Sequence, residues 1–162
     1  MPIYQFQYQE FLDESSLPIE WLSLLEAARA GLHDAYAPYS KFHVSATIRM
    51  QGGEVVKGVN IENASYPVGI CAERSALASA ISQFPNQRIE AIAITYSSVA
   101  GQDDQPAFPC GMCRQFISEC EDRNKHDIPL LLAGRVGRIV IIDTVKHLLP
   151  FSFSGNDLGA VR

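Results

Sequence analysis

Two short cysteine motifs, each at the head of a helical pattern, limit the possible folds of this chain more than any other feature. Cys71-Ala72-Glu73-Arg74 opens a run in which Ala72, Ala76, Leu77, Ala80 and Ile81 fall on one helical face. Pro109-Cys110-Gly111-Met112-Cys113 opens a second helical run, to about Glu121, and a strand pattern at 88–95 lies between the two. Helices entered from strands in this way belong to an α/β sheet, which collects its ligands at strand-to-helix turns. Both motifs are therefore expected at such turns.

The remaining periodicities fill in that architecture. Trp21, Leu24, Leu25, Ala28, Leu32 and Ala35 recur at steps of three and four, and with Pro18 suited to a first turn they predict a helix over 17–35 that Pro38 ends. Strand formers at 42–50 and 54–60 flank Gln51-Gly52-Gly53 and predict a hairpin. Pro67-Val68-Gly69 breaks the chain before the first cysteine helix, and a polar loop with Gly101, Gln102, Asp103 and Asp104 precedes the second. Two apolar runs at 128–133 and 138–142 predict further strands, followed by a short helix near 144–148. This order predicts a single mixed β-sheet of about five strands in an α/β fold, covered by helices on both faces. A length of 162 residues predicts one domain over 1–162, with 1–12 as an N-terminal arm; within it residues 3–8 alternate apolar and polar, the pattern of a short strand or an extended arm.

Charge and targeting signals narrow the function classes. A net charge of −5, from 13 Lys and Arg against 18 Asp and Glu, removes the basic surface that a phosphate polymer requires, so no nucleic-acid partner is expected. No basic cluster leads into an apolar core at 1–9, and no stretch of about 18 apolar residues occurs, so a cytoplasmic protein without a membrane span is expected. In that setting the 4 cysteines read as thiols or metal ligands, not as a disulfide framework.

Taken alone, Cys110-x-x-Cys113 fits a redox pair, a metal site or coincidence. Cys71, 110 − 71 = 39 residues upstream and followed by Glu73, tips the balance towards metal. Three protein ligands leave one tetrahedral position for water, the mark of a catalytic zinc. Glu73 sits two residues past a ligand, in reach of that water, and reads as a proton shuttle. Arg74 and the two helix N-termini can offset the negative charge of three thiolates. Cys120 lies 120 − 113 = 7 residues beyond Cys113, which is about 10 Å along a helix and too far to share a metal. The four histidines, His33, His43, His126 and His147, show no paired ligand spacing.

The two-part cysteine signature is that of zinc deaminases, and over about 35–157 the chain resembles the small, homotetrameric zinc-dependent cytidine deaminases. Ala37-Pro38-Tyr39-Ser40-Lys41-Phe42, Asn60-Ile61-Glu62-Asn63-Ala64, Cys71-Ala72-Glu73-Arg74, the 109–115 segment and Leu148-Leu149-Pro150 carry the likeness in order. It implies a hydrolase that converts cytidine and deoxycytidine to uridine and deoxyuridine with release of ammonia, using one zinc per subunit. Phe42 would pack on the nucleoside, Asn60 and Glu62 would bind the ribose 3′-hydroxyl, and the Ala72 backbone would hold the pyrimidine. Tyr66 and Phe153 would complete a neighbouring subunit's site, with Phe151 leaving the choice of ring-packing residue open. Asn60 and Glu62 lie two apart, so an extended segment places both on one face, and a carboxylate there repels phosphate and favours nucleosides. Ser45 departs from the family's usual glycine after Phe-x-Val. The rival readings are a deaminase of another cytosine-bearing nucleoside, a structural zinc module and a thioredoxin-like oxidoreductase.

Overall fold

The three helical periodicities become α1 (Ile19–Ala30), α2 (Ala72–Gln83) and α3 (Gly111–Asn124) in the computed structural model, which describes residues 1–99, 101 and 103–159. Helix α1 stops short of the expected residue 35. Gly31 caps it, and the chain tightens into a 3₁₀ turn at Leu32–Asp34 before running out extended. The strands are β1 (Gln9–Phe11), β2 (Phe42–Met50), β3 (Val55–Val59), β4 (Ile89–Ser98), β5 (Leu130–Ala133) and β6 (Ile139–Ile142). They form one mixed sheet in the order β1-β6-β5-β4-β2-β3. Only the β4–β5 pair is parallel; the other named pairs are antiparallel.

The sheet therefore has one strand beyond the five that the apolar runs predict. It is β1, which pairs with β6 through Gln9 opposite Ile141 and Phe11 opposite Ile139. Residues 3–8, despite their cleaner alternation, make no ladder. They run as an arm in which the Tyr4 hydroxyl donates to the Lys146 carbonyl at 3.1 Å and the Phe6 ring stacks on His147 at 5.0 Å. Of the polar loop at 101–104, Gln102 lies outside the described residues, as do 160–162 of the expected 1–162 unit. Asp103 is buried and accepts from the Ser98 amide and hydroxyl, at 3.0 and 2.7 Å.

Alternation along β4 divides the core. Ala91 and Ala93 face α1 and pack with Leu24, Leu25, Ala28 and Leu131, while Ile92 and Ile94 face α2 and α3 and pack with Ala76, Leu77, Ile117 and Leu130. Helices thus cover both faces, as the element order predicts, and a strand buried on both sides reads as an unbroken apolar run. Each fully buried Leu or Ile stabilises the fold by about 1.5–3 kcal/mol.

One glycine decides where α2 lies. A Cβ at Gly58 of β3 would stand 2.6 Å from the Ala76 Cα and 2.8 Å from the Ala72 carbonyl, so only glycine lets β3 approach the first turn of α2 this closely. Just beyond β3, Ile61 exchanges backbone hydrogen bonds with Ile70, the residue before Cys71, at 2.9 and 3.0 Å. The 60–62 segment is thereby fixed beside the first cysteine motif. Among the described residues no helix is long and apolar enough to cross a membrane.

Candidate metal centre

Cys71 is the N-cap of α2, Cys110 is the N-cap of α3, and Cys113 lies in the first turn of α3. Neither N-cap side chain accepts from a backbone amide of its own helix, which leaves both thiols free to turn towards each other. The Cys71 and Cys110 sulfurs are 4.0 Å apart, those of Cys110 and Cys113 are 3.5 Å apart, and all three lie within 4.8 Å of one another. Three sulfurs at the usual Zn–S length on a tetrahedron stand about 3.8 Å apart. The 4.0 and 3.5 Å edges straddle that value, so the cluster fits one zinc ion. Cys113 is buried, Cys71 half-buried and Cys110 exposed, so the open side of the cluster faces solvent. Among the described residues the cluster does not include Cys120, which is buried in the core with Met50, Ile117 and Leu130.

The surrounding charges suit a metal with a proton carrier beside it. Cys71 has its pKa lowered to about 5, first by the hydrogen bond from the Cys113 thiol and then by Arg74, while burial opposes the shift. Cys113, donating to Cys71 and buried, is held up in turn. A guanidinium nitrogen of Arg74 lies 3.9 Å from the Cys71 sulfur and 3.4 Å from the Gly69 carbonyl. Glu73 is only 5% exposed, and burial, reinforced by the Cys71 charge, raises its pKa above the ordinary carboxyl value.

A second group of expected residues gathers around the 39–44 backbone. The Asn60 side chain accepts from Val44 N at 2.8 Å and donates to Phe42 O at 2.9 Å. Glu62 accepts from Tyr39 N at 2.9 Å, from Ser40 N at 3.2 Å and from the Ser40 hydroxyl. The Ser40 bond is the main reason its pKa is lowered. Phe42 lies over Tyr96 at a centroid distance of 4.8 Å, and Tyr66 meets Tyr39 edge-on at 6.2 Å. Phe153, 60% exposed, joins neither group directly; its carbonyl accepts from Gln115 of α3 at 2.7 Å, and Phe151 is 94% exposed.

A family model described as the cytidine and deoxycytidylate deaminase zinc-binding region matches residues 20–125. A cytidine deaminase of Halalkalibacterium halodurans is 39% identical over 135 residues, covering 83% of this chain and 95% of its own length. The chain belongs to this deaminase family. A crystal structure of cytidine deaminase from Burkholderia pseudomallei superposes with a TM-score of 0.70 at 37% identity, covering 82% of this chain and 98% of that one. A blasticidin-S deaminase of Bacillus cereus is 33% identical over 83% of this chain and 93% of its own length. The matched zinc-binding region contains all three clustered cysteines and Glu73, so the family's zinc has a place in this deaminase fold that its thiols fit.

Some members of the site have no signature in the sequence. Ser40 and Tyr39 belong to the 37–42 motif, but nothing in their spacing points to Glu62, which reaches them across a 22- and a 23-residue separation. Arg114 and Gln115 close the 109–115 motif, which assigns them no role of their own; their bonds go to Pro109, Leu148 and Phe153.

Proposed function

We propose that this chain, folded as one domain, is a hydrolytic deaminase of cytidine and deoxycytidine, yielding uridine, deoxyuridine and ammonia. Cys71, Cys110 and Cys113 would hold one zinc. The observation that carries the reading is a buried carboxyl, Glu73, in the first turn of the helix that Cys71 caps, Cys71 being one member of a three-thiol cluster open to solvent. Zinc held there supplies the Lewis acidity that makes water a nucleophile near neutral pH.

Glu73 moves the protons. Its carboxylate takes one from the attacking water and delivers it to ring nitrogen 3, then takes another from the new hydroxyl at carbon 4 and gives it to the departing amine. A raised pKa suits this work, because the group must hold each proton between two transfers. Arg74 offsets the excess thiolate charge. The first amide of α2, at Ala72, lies before the helix's own ladder begins and can bind the pyrimidine.

Asn60 and Glu62 keep capacity for the sugar. A carboxylate has about four lone-pair sites, and three of those on Glu62 serve Tyr39 and Ser40, leaving one for a ribose hydroxyl. Phe42 offers its face to the nucleoside. Tyr66 and Phe153 complete a neighbour's pocket in a homotetramer, a reading supported by the 78% and 60% exposure of these large rings. The working compartment is the cytoplasm. The blasticidin-S deaminase match supports a second reading in which another cytosine-bearing nucleoside is the better substrate.

The test uses zinc-loaded protein and follows cytidine's ultraviolet spectrum as it becomes that of uridine. Glu73→Gln should retain zinc and lose about 10²- to 10⁴-fold in turnover, since an amide fills the space but carries no proton. No conversion by the zinc-loaded wild type would overturn the reading, and a fully active Glu73→Gln would remove that residue's role.

A further inference from the structure

Two segments of the family likeness, 109–115 and 148–150, are joined by one side chain that the proposed proton and nucleoside chemistry leaves unused. Arg114 donates from Nε to the Pro109 carbonyl at 2.8 Å and from Nη1 to the Leu148 carbonyl at 3.1 Å. Pro109 immediately precedes Cys110. Leu148 ends a 3₁₀ turn, Val145–Leu148, that is tied separately to the other end of α3. There the Glu121 carboxylate accepts from Val145 N at 3.0 Å and from the Thr144 hydroxyl at 2.8 Å. The 144–148 segment is thus held at two points on α3, 121 − 114 = 7 residues apart, and forms a fixed abutment for whatever Arg114 braces against it.

Cys110 needs such a brace. It is the exposed member of the thiol cluster, its side chain makes no cap to its own helix, and its backbone is extended at φ −66°, ψ 167°. Packing fixes Cys113, which is fully buried, but does little for Cys110. We infer that Arg114 is a positioning residue of the metal centre, bridging the Pro109 and Leu148 carbonyls so that the turn from Pro109 into α3 aims the Cys110 sulfur at Cys71 and Cys113. The guanidinium suits the task because its donors are set in a rigid planar fork, whereas a lysine ammonium is a single point on a flexible stem. The inference rests on the proposed cysteine ligands and is independent of the substrate.

The test measures zinc binding by full-length Arg114→Gln and Arg114→Lys, in competition with a chromophoric chelator, and melting temperature with and without zinc. Residues that orient a ligand typically contribute 10- to 100-fold in metal affinity, so both variants should bind zinc about that much more weakly and gain less melting temperature from it than wild type. A residue that serves only the fold would lower the metal-free melting temperature and leave zinc affinity within about twofold of wild type, and that result overturns the inference. Full recovery by lysine would also overturn it, by showing that charge suffices without the two-point bridge. If the glutamine variant does not fold, the lysine variant decides by the same criteria. A wild type that binds zinc but leaves cytidine unchanged would defeat the deaminase proposal alone.

Discussion

Ser45 shows how a single atom can sit badly in a well-packed protein. It stands in β2 with no exposure, and among the described residues its hydroxyl has no hydrogen-bond partner. A buried, unpaired polar group costs about 1–3 kcal/mol, so Ser45→Ala should raise stability by up to that amount in urea unfolding; a loss would mean that the hydroxyl is paired. Glu62 offers a test by pH. Its folded pKa is lowered, chiefly by Ser40, so its contribution to stability is present above the ordinary carboxyl range and is lost as pH falls through the lowered value. Ser40→Ala should move the Glu62 titration back up towards that range, as read from its side-chain carboxyl signal by NMR. An unmoved titration would detach Ser40 from the carboxylate. The cysteines and Glu73 were legible at this scale because metal and proton chemistry accept few residue types at few spacings. Glu62's commitments were hidden because hydrogen bonds across a folded-back loop leave no periodic trace, and Arg114 was hidden because an arginine on a helix looks the same whether it faces water or two carbonyls.

Secondary-structure elements were read most reliably where a whole face repeats. Helices α2 and α3 start at the cysteine caps, and β2 spans the expected residues, because periodic burial and turn chemistry are both local signals. The Gln9–Phe11 strand has neither. Its ladder is made with β6, some 130 residues away, and three residues are too few to show a period. Helix α3 also depends on a residue that no pattern singles out: Glu121, 1% exposed, whose carboxylate collects two amides and a hydroxyl from 128, 144 and 145. Glu121→Gln keeps an oxygen for the Ile128 and Val145 amides and can donate to the Thr144 hydroxyl, so it should cost little. Glu121→Ala strands both amides and should cost at least about 1–3 kcal/mol for each one left unpaired. Chemical denaturation of the two variants checks the ordering, and equal losses would show that the negative charge is what matters.

For the molecule as a whole, the C-terminal tail leads outwards. Phe151 and Phe153 are exposed on a segment that Gln115 fastens to α3, an arrangement that suits a ring offered to another subunit. Truncation before Phe151 should therefore leave little cytidine turnover. Mixing the truncated chain with Glu73→Gln under subunit exchange should restore activity above the sum of the parents, because an intact Glu73 can then meet an intact tail. Full activity of the truncated chain alone, or no recovery in proven mixed oligomers, would make the tail mere packing. At one edge of the sheet, β1 has a practical bearing on making the protein. It lies along β6, whose four residues are all buried apolar side chains. Removing β1 would bare a greasy, hydrogen-bond-hungry rim of the kind that seeds edge-to-edge aggregation. An expression tag can be appended ahead of Met1, but trimming into Gln9–Phe11 should turn a well-behaved preparation into an insoluble one.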